Sequence, residues 1–271
     1  MGRPLPEVEW TGREMNAVSD SVADELGRVG IVGAGRLGTA LARAVSEAGL
    51  EVTGPLGRGE VPGGCRAIVL CVPDSEIAAA AEVVTGAAPF VGHTSGATPL
   101  SALSHAGVER FGIHPLQAFA QGAGAEAFRG AGCAVAGSSP EALELARSLA
   151  VRLGMTPFEI DDAGRAAYHA AASVASNFLV TLMAAAERIA APAGLEPHEA
   201  RELLLPLLRG TIDNVADRGP AAALTGPVAR GDEATVAAQR AAVADAGPEL
   251  LELFDQLVHH TRALAGREVT A

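Results

Sequence analysis

The chain of 271 residues has no lysine: all twenty of its basic residues are arginine. A lysine acid, base or Schiff-base nucleophile is therefore excluded. Aromatic residues make up only 3% of the chain, so alanine, leucine and valine must build the core. Small side chains favour closely packed helices. The three cysteines, Cys65, Cys71 and Cys133, are odd in number and lack paired metal-ligand spacing. No metal site is expected from them, and a reducing cytoplasmic compartment suits them best. Basic charge is also short, with a net charge of −12. That balance argues against nucleic acid or an anionic membrane as the main partner. No uninterrupted apolar run reaches the roughly 18 residues of a membrane span, and residues 1–26 are polar and acidic with no signal-peptide core. These residues read as a loosely held extension, with Met15 an alternative start of translation.

What is present is organised around Val29 to Ala40. A short apolar run, Val29–Val32, leads into Gly33-x-Gly35-x-x-Gly38, then into Leu41, Val45 and Ala48 at helical spacing. Strand, tight turn and helix start are the context a dinucleotide fingerprint requires. Gly33 makes the turn, Gly35 admits the pyrophosphate and Gly38 packs helix against strand. The helix start, with Ala34, Arg36 and Leu37, offers unpaired N–H groups and partial positive charge to phosphates. The next strand, Gly49–Thr53, ends without the acid that binds ribose hydroxyls in NAD sites. Arg36 and Arg58 stand nearby instead, which favours NADP(H) over NAD(H).

A buried-type strand, Ala67–Val72, ends at Val72, Pro73 and Asp74, where Asp74 or Ser75 can cap the following helix and border the nicotinamide. Pro89–Gly92 delivers His93, Thr94 and Ser95 to the same sheet edge, and Val108–Ile113 delivers His114. Each histidine is either a substrate contact or a structural hydrogen-bonding group. Cys133–Ala136 and Met155–Ile160 flank a helix over Pro140–Leu153. The alternation predicts an α/β fold, a Rossmann-type mostly parallel sheet followed by an all-helical C-terminal domain. Domains are expected at 27–160, for the dinucleotide, and 161–271, for substrate and dimerisation.

Ala163–Ala190 reads as one long buried helix bearing His169, Ser173 and Asn177 at i, i+4, i+8. They form one polar stripe, either bonding to neighbouring helices or facing substrate, with His169 the candidate proton donor. Further helices are expected over Pro197–Val215, Asp232–Asp245 and Pro248–Leu264. In the loop before the third, Thr225 and Arg230 are candidate ligands of a substrate carboxylate, and Asp232 a ligand or a helix cap.

His93-Thr-Ser-Gly96, His114-Pro-Leu-Gln-Ala-Phe119, Ser176-Asn-Phe-Leu-Val-Thr-Leu182 and Leu224-Thr-Gly-Pro-Val-Ala-Arg-Gly-Asp232 resemble a bacterial family over residues 27 to 265. Its members pair a Rossmann-like half with a helical domain long labelled of unknown function. That family is similar to ketopantoate reductase and, more distantly, to pyrroline-5-carboxylate reductase and the β-hydroxyacid dehydrogenases. Ketopantoate reductase carries a phosphate-binding arginine, here Arg58, and a lysine, asparagine, asparagine series matching His169, Ser173 and Asn177. Its later serine falls near Thr225 and its acidic ligand near Asp232. The resemblance implies NADPH-dependent reduction of a small 2-oxo acid, 2-dehydropantoate to pantoate first among them, by a homodimer. A cyclic-imine reductase, a prephenate-type dehydrogenase suggested by His114-Pro115, and a non-catalytic NADP(H)-binding sensor are the alternatives.

Overall fold

The computed structural model describes residues 26–104 and 108–266. The expectation for residues 1–26 therefore lies, except at Leu26, outside the described residues. Two compact units divide between Ser173 and Val174.

The first unit carries β1 (Val29–Val32), α1 (Arg36–Glu47), β2 (Val52–Leu56) and β3 (Ala67–Leu70). A short 3-10 turn, Asp74–Glu76, runs into α2 (Ile77–Val83). Then follow β4 (Phe90–His93), β5 (Glu109–Pro115), β6 (Gly132–Gly137), α3 (Pro140–Arg152), β7 (Thr156–Glu159) and α4 (Arg165–Ala175). The seven strands form one sheet in the order β2-β1-β3-β4-β5-β6-β7. All neighbours are parallel except β5 and β6. This is the expected Rossmann-like sheet. β2 begins later than the sequence implies and continues through Gly54-Pro55 to Leu56.

Period-two alternation distributes the core on both faces, as a sheet covered twice requires. Ala67 and Val69 of β3 join α1 and α3, through Leu41, Val45, Leu145 and Leu149. Ile68 and Leu70 point the other way, onto Ile77, Ala81 and Leu103. α3 starts where Ser139 accepts a hydrogen bond from the Ala142 amide and a proline occupies the first turn, a favourable helix start.

The second unit is helical: α5 (Asn177–Ala190), α6 (Pro197–Arg218), α7 (Glu233–Ala246) and α8 (Pro248–Leu264). Single helical turns at Pro220–Ala223 and Pro227–Arg230 replace the predicted loop before α7. Its core is thin, centred on Ala185, Val243 and Leu250. Ion pairs brace the exterior, including the two-bond forks Arg201–Glu187 and Arg240–Asp255.

Two expectations are corrected here. The run from 163 to 190 is not one regular helix, because Ser176 interrupts it with φ −116° and ψ −68°. Nor is it buried: Val174 is 59% exposed, Phe178 55% and Val180 70%. The first unit ends and the second begins within this run, so it does not thread a single core. The stretch 165–193 is also long and apolar enough, by length and composition, to cross a membrane, with mean hydropathy 1.4. Isolated Ser, His and Asn residues hide that average when only uninterrupted apolar runs are counted.

Candidate functional site

The sheet order reverses at β1, with β2 on one side and β3 on the other, and ligands of open α/β sheets bind at the carboxyl ends of strands beside such a point. The Gly33–Gly38 turn occupies that position. A Cβ on Gly33, whose φ is +110°, would collide with the Cys71 carbonyl at the end of β3. A Cβ on Gly38 would overlap the Gly33 carbonyl oxygen and lie 3.1 Å from Cys71 Cβ. Gly35 differs from both, because nothing lies within 4 Å of the Cβ it lacks. Ala34, Gly35 and Arg36 are exposed and Leu37 half-buried. Gly35 precedes α1 without any side-chain cap, and the first turn carries no acid. The site has open space, free amide donors and the positive end of a helix, a phosphate cradle.

Arg58 follows β2, with its side chain 86% exposed and 3.3 Å from Glu76. Glu60, close by, folds its carboxylate back to accept from the Gly57 amide at 2.6 Å. At the end of β3, Val72 and Pro73 lead into Asp74, which caps no helix. Instead Asp74 accepts a hydrogen bond from Ser95 Oγ at 2.8 Å. Ser95 Oγ also accepts from the Thr98 amide at 2.9 Å. The Thr94 amide and hydroxyl both reach the Leu70 carbonyl. Thr94, Ser95 and Asp74 thus stitch β4 to β3 beside the glycine turn.

His93, at the end of β4, is wholly buried. Its Nδ1 accepts from the Ser95 amide at 3.2 Å. Burial first, then the charge of Arg165, holds its pKa down at about 4, against the Pro99 carbonyl and the Asp74 carboxylate. A ring with no exposed surface supports the sheet edge from within.

His114 is half-buried at the end of β5. Its ring lies flat against Gly96, where a Cβ would come within 2.8 to 3.0 Å of three ring atoms. His114 Nδ1 is 2.7 Å from the Tyr168 hydroxyl. Tyr168 meets the ring of His114 edge-on at 5.5 Å and that of Phe158 at 5.7 Å. His169, the predicted proton donor, is exposed on α4 with its ring 6.1 Å from His114. Burial, followed by the charges His169 and Arg165 can carry, lowers the His114 pKa to about 4. Burial pushes the Tyr168 hydroxyl up to about 12.

Sequence reasoning missed Tyr168 and Arg165. Arg165 is only 3% exposed, with Nε donating to Asp162 at 2.7 Å and Nη2 without a partner among the described residues. A signal was available: Arg165, Tyr168 and His169 stand at i, i+3 and i+4, on one helix face, and Tyr168 is the only tyrosine.

Ser173 is half-buried on α4, while Asn177 opens α5 in the second unit. The break at Ser176 therefore separates Asn177 from the helix that carries His169 and Ser173. Within the second unit, Thr225 is exposed beside a cleft of about 620 Å³ that is also lined by Leu207, Val215 and Leu264. Arg230 ends a single helical turn. Asp232 caps α7, accepting from the Thr235 amide at 3.1 Å and hydroxyl at 2.7 Å. Those bonds hold its carboxyl below the usual range. The cap expected of Asp232 is thus present. A further cleft of about 700 Å³ in the first unit lies away from the glycine turn, at the ends of β6 and β7 by Glu159 and Asp161. Among the described residues, no cluster of His, Cys, Asp and Glu could hold a metal ion.

Residues 131–261 match the DUF2520 domain, a domain of unknown function. No curated protein matches the chain. A protein of Bacteroides fragilis described as a candidate NADP oxidoreductase has a similar structure, with TM-score 0.74 and 22% identity, over 90% of this chain and 99% of that one. A Thermotoga maritima protein gives TM-score 0.70 and 25% identity over 88% of this chain and 98% of its own. The Aspergillus terreus reductive aminase, solved with NADPH and ethyl-5-oxohexanoate, gives TM-score 0.60 and 18% identity over 90% and 96%. These likenesses extend the Rossmann-like fold with a helical C-terminal region across the chain.

Proposed function

We propose that this protein is an NADP(H)-dependent oxidoreductase that reduces the polarised C=O or C=N bond of a small molecule. The observation that carries the reading is the open, uncapped Gly33–Gly38 cradle at the reversal of strand order. The names of the fold neighbours, an NADP oxidoreductase and an NADPH-bound aminase, point the same way. Gly35 and the first turn of α1 would hold the pyrophosphate. Arg58 would exchange its exposed partner Glu76 for a 2′-phosphate, a small loss because a surface pair contributes at most about 1 kcal/mol. Asp74, Thr94 and Ser95 would shape the nicotinamide end. When bound, the reduced cofactor supplies a hydride to an electrophilic carbon. The chain then has to orient the substrate and give a proton to its heteroatom. His114, Tyr168 and His169 form the cluster in the first unit able to do so.

The leading substrate is a small 2-oxo acid, with 2-dehydropantoate first by the resemblance of the residue series. Reduction of a cyclic imine is the second reading, supported by the fold shared with an enzyme named as a reductive aminase. Thr225 and Arg230 are the proposed carboxylate ligands. The test is loss of reduced-nicotinamide absorbance when pure protein and NADPH meet 2-dehydropantoate, related 2-oxo acids and pyrroline-5-carboxylate. Turnover of one class assigns it, and NADPH that binds but is consumed with none leaves a sensor.

We also propose a cytoplasmic homodimer. The three free cysteines suit a reducing compartment,. Phe178, Val180, Leu203, Leu207 and Ile212 are exposed on the second unit, whose own core is thin. A second copy of the chain would cover these exposed apolar side chains. Sedimentation of the intact protein measures the association.

A further inference from the structure

We propose that Tyr168, not His169, delivers the proton to the reacting oxygen or nitrogen, and that His114 positions Tyr168 for that step. The inference rests on the reductase reading and deepens it.

Three observations carry it. First, the Tyr168 hydroxyl has a fixed address, 2.7 Å from His114 Nδ1, with its ring held edge-on by His114 and Phe158. The His169 side chain has no hydrogen bond among the described residues, and its ring lies 6.1 Å from that of His114. A proton donor works through held geometry, so the anchored hydroxyl has the advantage. Second, strand order places the pair. Arg58 follows β2, the glycine cradle follows β1, and the order continues through β3 and β4 to β5. A dinucleotide held with its 2′-phosphate end at Arg58 and its pyrophosphate at Gly35 would extend its reactive end towards the β3 to β5 side, where His114 stands. Third, His114 is pressed flat on Gly96, a position with no room for a side chain.

The chemistry sets the tautomer. A neutral His114 protonated on Nδ1 donates to the Tyr168 oxygen and leaves the phenol O–H free to face substrate. As the substrate carbon is reduced, its oxygen or nitrogen becomes strongly basic. The Tyr168 O–H bond breaks, its electron pair stays on the phenol oxygen, and a new O–H or N–H bond forms on the substrate. His114 Nδ1–H steadies the phenolate, which takes a proton from water once the product has left. With its imidazole held near 4, His114 stays neutral at pH 7 and acts only as the donor of that hydrogen bond.

The test uses the full chain with four variants, Tyr168→Phe, His169→Ala, His114→Asn and His114→Phe. Imidazole nitrogen NMR of the wild type should find His114 as the Nδ1–H tautomer; an Nε2–H tautomer with Nδ1 accepting overturns the proposal. Tyr168→Phe keeps the ring contacts and loses one hydrogen bond, so its melting temperature should fall only modestly and its NADPH-fluorescence titration should match wild type,. Its kcat on the best compound of the 2-oxo-acid and imine panel should fall about 10²- to 10⁴-fold, the range for loss of a general acid, with little change in KM. His169→Ala should stay within about tenfold. His114→Asn, which retains an N–H, should recover part of the kcat that His114→Phe loses, whereas a purely structural role makes the two equal. Undiminished turnover by Tyr168→Phe sinks the acid assignment and leaves the reductase standing. Failure of wild type to bind NADPH, or to reduce any compound of the panel, removes the reductase reading and this inference with it.

Discussion

The sharpest prediction separates two glycines of one turn by what surrounds them. An alanine at Gly38 would drive its methyl into the Gly33 carbonyl oxygen and to 3.1 Å from Cys71 Cβ. Neither neighbour is the free end of a side chain, so α1 must shift against β1 and β3. Overpacking of this kind costs about 1–3 kcal/mol and sometimes more, and the clash with backbone puts this site at the upper end. Alanine's better helix propensity offsets about 1 kcal/mol. The net loss of about 2 kcal/mol corresponds to a melting temperature lower by about 4–8 °C at this chain size. At Gly35 nothing lies within 4 Å and the backbone is extended, with φ −72°. Alanine there forfeits up to about 1 kcal/mol as a poorer N-cap. It recovers about 0.4–1 kcal/mol from a less flexible unfolded chain. Stability should hardly change. The methyl would, however, stand in the space assigned to the pyrophosphate, and NADPH affinity should fall at least about tenfold, about 1.4 kcal/mol. Thermal melts and fluorescence titration of both variants check this. Wild-type NADPH affinity in a stable Gly35→Ala protein would refute the cradle.

Arg58→Ala should weaken NADPH binding by about tenfold while leaving NADH nearly unchanged, because only the former carries the 2′-phosphate; paired titrations decide. His93 and His114 have folded pKa values near 4 against an ordinary value of about 6.5. Between these values the unfolded chain binds more protons, so stability is whole above about pH 6.5 and is lost as pH falls towards 4. Melting temperatures across that window should drop, and His93→Gln should flatten the slope. Arg165→Met removes a buried cation that lowers both histidines, so NMR should find their titrations moved upward. Leu207→Glu places a charge on a side chain 67% exposed and should leave the unit folded. If that face joins two copies, sedimentation should find a monomer.

Much of the fold was legible because its determinants are local. Continuous runs such as Ala67–Leu70 read as strands buried on both faces, and Gly33, Gly35 and Gly38 read as a cradle from spacing alone. Strand ends moved by a few residues, as at β2, where hydrogen bonding to β1 carries the strand through Gly54-Pro55. The helical run was harder. Alanine-rich periodicity describes a helix equally well whether its apolar side faces a core or solvent, so burial of Val174, Phe178 and Val180 was misjudged.

The proposed catalytic cluster shows where local signals end. Residues 93 to 96, 114 and 165 to 169 are far apart in the chain, and only the register of β4 on β5 and the path after β7 bring them together. The sequence by itself determined the glycine turn, the lysine-free chemistry and the strand–helix alternation, because these follow from residue type and spacing. Tertiary structure alone decided that Asp74 answers Ser95, that His93 is buried beneath the edge, and that Tyr168 meets His114. Those outcomes depend on distances between segments, and no periodicity along the chain encodes them.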